Sequence, residues 1–342
     1  MRGDPSMASQ INVHVGSDCH VALETFDTYR TLWQSRSGAL PWDCLFALPP
    51  WIESWWGSFG AHGEPHICSV RRGERVIGIA PMMVQGGKVR FLGDPRLSDH
   101  FDCIVAQGRE GLFFEALLAH LAATGLGEAC FGPSSPHSSV MKFFRENEPS
   151  EKVNWFFTAD ETYSDLELPP SWEEFLAHLD GKQRHEVRRK FRRLHEAGTV
   201  QFRKITEVEK TRQAMGTFLD LFTGNRAQKA AFMTGPMAHF FQSLAVSLAQ
   251  EDLLRLCFLD VNGQPVASVF CVDHRGTRYL YNNGYDGRWQ QLSVGTMSKL
   301  LSIKDAIEER CERYNFLKGA ESYKTKLGGR PTPLSSVHVT LS

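Results

Sequence analysis

Residues 253–326 read LLRLCFLDVNGQPVASVFCVDHRGTRYLYNNGYDGRWQQLSVGTMSKLLSIKDAIEERCERYNFLKGAESYKTK, and the fold is decided there. An apolar run over 253–261, a turn at Asn262-Gly263 and a second apolar run over 265–272 predict a β-hairpin. A third run, 277–285, rich in tyrosine and aliphatic residues, predicts another strand. Gln290, Gln291, Leu292, Ser293, Val294 and Gly295 then form a polar, glycine-bearing loop. From Thr296 to Cys311 the apolar residues Met297, Leu300, Leu301, Ile303, Ile307 and Cys311 recur at helical spacing, which leaves Lys299, Lys304, Glu308 and Glu309 towards water. A last short strand over 314–317 runs into Lys318, Gly319, Ala320, Glu321, Ser322, Tyr323 and Lys324. Strand, loop, helix and strand in this order suit an anion, because the unpaired first-turn amides and the helix dipole face the loop. Neither G-x-x-x-x-G-K-S/T nor G-x-G-x-x-G occurs in the chain, so the P-loop and Rossmann readings lack their fingerprints.

The chain has 342 residues, of which 42% are hydrophobic, enough for two domains with cores of their own. A formal net charge of −1 argues against a nucleic-acid coat or a membrane-surface protein. The eight cysteines are scattered without a C-x-x-C pair and read as buried reduced thiols. His62 and His66 show no third ligand at a zinc spacing, so no metal is expected. The first ten residues are short, polar and bear glycine and proline; they read as a disordered lead rather than a signal peptide. No apolar run reaches the roughly 18 residues of a membrane span. A cytoplasmic protein without membrane insertion is expected.

The element order occurs twice. A strand over 11–15, a helix over 21–34, a helix over 48–59, three strands over 66–92, a helix over 111–123 and a strand over 129–132 make the first copy. A strand over 200–205, helices over 207–226 and 236–250, and the stretch quoted above make the second. Between them lie a Pro/Ser-rich loop over 132–139, a mixed stretch ending at Pro169-Pro170, and a helical segment over 172–197. The expected domains are therefore 11–165, a connecting basic helical segment over 166–199, and 200–342. In the first copy no glycine stands where Gly295 stands in the second, and Asp94, Asp99 and Asp102 would repel a phosphate, so the donor site is assigned to the second copy.

Phe46 followed by Trp51, Ile52, Glu53, Ser54, Trp55 and Trp56, then Gly78 to Met82, Phe91-Leu92-Gly93, the basic run from Lys182 to Arg189, Asn283 to Asp286, Ser293-Val294-Gly295 and Gly319 to Lys324 together resemble the CelD-type GNAT acyltransferase family. That family is associated with bacterial exopolysaccharide and cellulose loci, and its tandem layout is similar to that of the Fem aminoacyltransferases. The resemblance implies an α/β fold of two tandem GNAT-like halves, each a mixed, mostly antiparallel sheet flanked by helices. It implies that acetyl-CoA or another acyl-CoA is the co-substrate, with its pyrophosphate on the loop amides, and an amine acceptor such as an amino sugar or polysaccharide precursor. The chain departs from the family at Val294, where proline is usual, and at Asn315, where an aspartate is usual.

Acylation of an amine by a thioester needs a polarised carbonyl, a base for the amine proton and an acid for the leaving thiolate. A backbone N–H where the third and last strands of the second copy splay apart would serve the first need. Tyr323, Tyr285 and Tyr281 are candidate acids, Tyr323 the favoured one. Glu321 and Asp286 are candidate bases, and Lys324 could neutralise a phosphate or carboxylate. Gln290, Gln291, Ser293, Val294, Gly295 and Thr296 would hold the donor; Arg226, Lys229, Tyr281 and Asn283 would line the acceptor side. Each has a plainer role open to it: sheet aromatic, ion pair, turn residue. Seven Lys or Arg between positions 182 and 193 point around a helix in all directions, so most face solvent. DNA is not expected as a partner and tRNA is disfavoured. A Fem-like transferase drawing on aminoacyl-tRNA and a catalytically silent subunit of an envelope-polysaccharide complex are the alternative readings.

Overall fold

The computed structural model describes residues 13–14, 19–35, 40–224 and 227–342. The chain divides into two units, Met1–Asp160 with Pro333–Ser342, and Glu161–Thr332.

The first unit contains β1 (Val13–His14), β2 (Cys19–Glu24), α1 (Phe26–Gln34), α2 (Pro49–Phe59), β3 (Glu64–Arg72), β4 (Arg75–Gln85), β5 (Lys88–Phe91), β6 (Ile104–Val105), α3 (Glu110–Ala123), β7 (Glu128–Ser134) and α4 (Ser139–Glu146). The strands β1 to β5 pair antiparallel in chain order, and β7 joins β5 in parallel, with Val89 opposite Ala129. Phe113, Phe114 and Leu117 of α3 pack on Phe131 of β7 and on Phe143 and Phe144 of α4. The carboxylate of Asp102 anchors α4: it accepts from Ser139 N–H (3.0 Å), Ser139 Oγ (2.6 Å) and Val140 N–H (3.2 Å). Burial pushes its carboxyl up to about 6 despite those donors. In this copy the aspartate stands inside a helix cap, not over an anion.

The second unit takes up β8 (Val153–Glu167) from Glu161 onward and continues through α5 (Trp172–His178), α6 (Gly181–Glu196), β9 (Val200–Ile205), α7 (Val208–Thr223), α8 (Ala227–Phe232), α9 (Gly235–Gln250), β10 (Leu254–Val261), β11 (Gln264–His274), β12 (Thr277–Tyr285), α10 (Val294–Glu308), β13 (Arg313–Lys318) and α11 (Ser322–Lys326). The order β9-β10-β11-β12 is antiparallel, and β13 pairs with β12 in parallel, as β7 does with β5. Asn262 and Gly263 both have positive φ (52° and 78°), the geometry of the two-residue hairpin turn read in the sequence. Helices α7 and α9 cover one face of this sheet: Phe218 and Phe241 pack on Phe270, Phe241 stacks on Tyr281, and Phe222 packs between Phe218 and Phe241. Helix α10 covers the other with Met297, Leu300 and Ile303. Each unit is thus a mixed, mostly antiparallel sheet flanked by helices.

The last strand, β14 (Arg330–Leu341), returns to the first unit from Pro333 onward and pairs antiparallel with β7, with Val337 opposite Phe131 and Val339 opposite Ala129. The corresponding place beside β13 is taken by β8, with Arg313 opposite Glu167 and Asn315 opposite Asp165. Each sheet is completed by a strand from outside its own repeat, so residues 333–342 belong with the first unit and not with 200–342. The stretches that became α4, β8 and β14 carried no expectation of regular structure. The helix expected over 21–34 starts only at Phe26, because residues 19–24 pair with β3 and the Thr25 hydroxyl caps the helix by accepting from Thr28 N–H at 3.1 Å.

Candidate active site

Strands β12 and β13 pair at only three positions, Thr277 with Arg313, Arg278 with Tyr314 and Tyr279 with Asn315. Beyond Tyr279 they part, and Leu280 to Tyr285 lies on one side of the opening with Phe316 to Lys318 on the other. The cause is local. The Asn315 side-chain oxygen accepts from Leu317 N–H at 2.8 Å, and Leu317 takes a positive φ of 60° at a register shift against β8. A strand bulged this way bends out of its ladder.

The chain after β12 makes a 3-10 turn, Gly287–Leu292, and enters α10 through Ser293 in the left-handed region (φ 56°, ψ 35°). The amides of Thr296 and Met297 return to the Ser293 carbonyl (2.8 and 2.9 Å), so Val294 and Gly295 supply the first-turn amides not drawn back into the chain. Helix α10 is held on the sheet by ionic and polar contacts. Arg278, fully buried, clasps Asp273 of β11 through Nε and a terminal nitrogen (2.7 and 2.8 Å), and its other terminal nitrogen reaches Asp305 of α10 (2.5 Å). Lys204 of β9 joins Asp305 and Glu309. These carboxylates hold the Arg278 guanidinium well above its usual range against the opposing effect of burial. On the sheet side, Ser302 Oγ and the Tyr314 hydroxyl lie 2.6 Å apart.

Gly295 is where it is because of Tyr285. A Cβ at 295 would stand 2.7 Å from Tyr285 Cδ1, so the ring at the end of β12 lies directly on the helix start. This aromatic contact by itself leaves no room for a side chain at 295. Lys299, expected in water, is buried: its ammonium donates to the Gly295 carbonyl (2.9 Å) and lies 4.7 Å from the centre of the Tyr323 ring. Tyr323 packs edge-on to Phe316 and its hydroxyl has no partner among the described residues. Burial, and then the nearby Glu321 carboxylate, raise its pKa well above the ordinary phenol value.

Lys324 is 2% exposed and donates to the carbonyls of Leu317 (2.9 Å), Lys318 and Gly319 (3.1 Å), with Glu321 at 3.0 Å. It ties down the turn after β13 and has no donor left for a substrate phosphate, which corrects its expected role. Glu321 is exposed at the side chain; burial raises its pKa, but the Lys324 hydrogen bond and charge outweigh that and keep it low.

Asp286 caps the 3-10 turn by accepting from Arg288 N–H (2.9 Å) and pairs with the Arg288 guanidinium (2.6 Å). Its carboxyl is held down chiefly by that pairing. Lys229 donates to the Asn283 carbonyl (2.5 Å) with its ammonium over the Phe222 ring. Tyr281 stacks on Phe241 on the α7 and α9 face, away from α10. Arg226 lies outside the described residues. Gln290 and Gln291 are exposed, and α6 reaches the same turn, where Arg193 donates to the Gln291 carbonyl (2.9 Å). The structure therefore brings together Tyr285, Gly295, Lys299, Tyr323, Glu321 and Lys324 around the start of α10. Lys299 is the member that sequence reading missed. The signal was its place four residues after Gly295, one helical turn on, which aims its side chain back at the helix start.

The chain is similar in fold to FemX, with a TM-score of 0.63 at 10% identity over 93% of this chain and 96% of that one. A conserved protein of unknown function from Bacteroides thetaiotaomicron gives 0.58 at 16% identity, over 86% and 90% of the two chains. The C-terminal domain of a putative lysylphosphatidylglycerol synthetase from Agrobacterium fabrum gives 0.55 at 12%, over 84% and 91%. At these identities the likeness is one of fold alone. No curated protein matches the sequence at a significant level. The family model of the acetyltransferase (GNAT) domain matches residues 181–325, the part of the chain that holds the parted strands, the turn and α10.

Proposed function

We propose that the second unit is an N-acyltransferase that moves an acyl group from an acyl-CoA to an amine acceptor, for which the CelD-type resemblance points to an amino sugar or polysaccharide precursor. The observation that carries this reading is the parting of β12 from β13 beyond Tyr279, with the start of α10 beside the opening, inside the region matched by the acetyltransferase domain. The donor pyrophosphate rests on the amides of Val294 and Gly295 at the positive end of the helix dipole. The pantetheine arm lies between the strands, where amides on the free edge of β12 polarise the thioester carbonyl. The acceptor nitrogen adds to that carbonyl carbon, its proton passes to Glu321 directly or through water, and the C–S bond breaks as Tyr323 gives its phenolic proton to the thiolate. Lys324 fixes Glu321 and the turn carbonyls, and Lys299 holds Tyr323 against the helix start.

Thr296→Glu tests the donor site. Thr296 is half-buried in the first turn of α10, where a carboxylate favours the helix but opposes a bound phosphate. Calorimetric titration with acetyl-CoA should show affinity reduced about tenfold or more, roughly 1.4 kcal/mol, with the melting temperature kept or raised. A variant that binds the thioester as tightly as the parent would place the donor elsewhere. The same titration with an aminoacyl-tRNA answers the Fem-like alternative, whose footing is the four cations of α6 that stand exposed to solvent, Lys182, Arg188, Arg189 and Arg192. Tight binding of the tRNA with no binding of CoA thioesters would favour it.

A further inference from the structure

The first unit contains a group of side chains that the transfer reaction does not use. His66 and Cys68 alternate on β3 and so share one face of the strand, and His120 comes to that face from the last turn of α3. One ligand atom from each of the three, a ring nitrogen of both histidines and the Cys68 thiol sulfur, lie within 4.8 Å of one another. The surroundings are apolar: Cys68 is wholly buried in the core with Val70, Phe113, Leu117 and Leu121. His120 is fully buried as well, and neither of its ring nitrogens has a hydrogen-bond partner. His66 Nε2 is also buried and unpartnered. The two imidazoles are stacked, centres 5.8 Å apart at an interplanar angle of 29°, so they do not satisfy one another.

Buried polar atoms are nearly always paired, and one ring nitrogen from each histidine gathered beside one thiol calls for a common partner. A single N–H or O–H donor cannot serve three such lone pairs at once. A cation can. Sulfur and imidazole ligands select a borderline or soft ion, and not magnesium or calcium, which take oxygen. We propose that His66, Cys68 and His120 form a zinc(II) site that ties β3 to α3. The three bind as imidazole, thiolate and imidazole, and the fourth position opens on the His66 side, where that residue is part-exposed. At zinc bond lengths of about 2.0–2.3 Å the ligand atoms sit about 3.3–3.7 Å apart in a tetrahedron, so binding draws the side chains together by roughly an ångström. The Cys68 proton leaves to solvent as the metal enters. The site lies within one strand and one helix of the first unit, and it is independent of the acyl-transfer reading.

The test uses the full-length protein stripped with a chelator and titrated with cobalt(II), which takes zinc sites and reports their geometry by absorption. The expected result is one cobalt per chain, with tetrahedral d–d bands and a thiolate-to-cobalt charge-transfer band, all removed by one equivalent of zinc. Cys68→Ser should lose the charge-transfer band. His66→Gln and His120→Leu should each weaken binding at least tenfold, and His120→Leu should fold at least as well as the metal-free parent because it removes two unpaired buried nitrogens. The proposal fails if the folded parent takes up neither cobalt nor zinc. It fails equally if cobalt binds without the charge-transfer band, or if folded His66→Gln keeps the parent's affinity and spectrum.

Discussion

Tyr323 shows how surroundings set the protonation state of one side chain. Its hydroxyl has no partner among the described residues, its ring is pinned between Phe316 and the Lys299 ammonium, and burial with Glu321 nearby keeps the phenol protonated far into alkali. Tyr323→Phe removes only the hydroxyl that carries the proton, so steady-state kinetics should show kcat lowered about a hundredfold or more while the thioester dissociation constant is unchanged. In the parent, kcat should hold level to a pH above the ordinary phenol range; a fall at that ordinary value, or full activity in the variant, would assign the proton to another group. The place of Tyr323, on the turn after the last strand, was legible in the sequence. The two lysines were not. Lysine is rarely buried, so Lys299 was read as solvated and Lys324 as a ligand contact. What buries them is the carbonyl array made by Gly295 and by the turn from Leu317 to Gly319, and that array exists only after the strands have paired.

The elements were read most reliably where pattern and punctuation agree. The Asn262-Gly263 hairpin, the apolar stripe of α10 and the basic helix α6 all fall where the sequence places them, since each rests on local periodicity or turn chemistry. The parting of β12 from β13 was expected from the family resemblance, yet its cause, the Asn315 side chain holding Leu317 in a positive φ, is a contact that periodicity does not encode. The same holds for the junction between β12 and α10. Gly295 was read as part of the donor loop, and its close contact with the Tyr285 ring is one that the sequence does not signal. Gly295→Ala should therefore destabilise the fold by about 1–3 kcal/mol, the usual range for an added methyl in a packed site. Coupling to Tyr285 decides the interpretation. In a double-mutant cycle followed by urea unfolding, Tyr285→Ala should relieve most of that cost, with an interaction energy of at least about 0.5 kcal/mol. Strict additivity would show that the ring does not set the residue.

For the whole molecule, the decisive feature is that each repeat borrows its closing strand. The repeat itself was legible because both copies carry the same order of apolar runs and turns. The borrowing was not, since β8 and β14 acquire their partners by pairing across more than a hundred residues of chain and carry only a broken apolar alternation. The consequence can be tested by ending the chain at Thr332. The deletion removes Leu334, Val337, Val339 and Leu341, all buried, the last three within the core that holds Phe131 and Leu117. At about 1.5–3 kcal/mol for each buried aliphatic side chain, the loss is roughly 6–12 kcal/mol as an upper bound, as large as the whole stability of a typical domain. It also bares the β7 edge that β14 covers. The truncated chain should therefore lose the first unit's cooperative unfolding transition and become sensitive to protease within residues 19–160. The second unit keeps all its strands and should retain thioester binding by calorimetry. If the truncated protein instead melts within a few degrees of the parent and resists protease over 19–160, then β14 adds nothing essential to the first core, and the two sheets close without exchange.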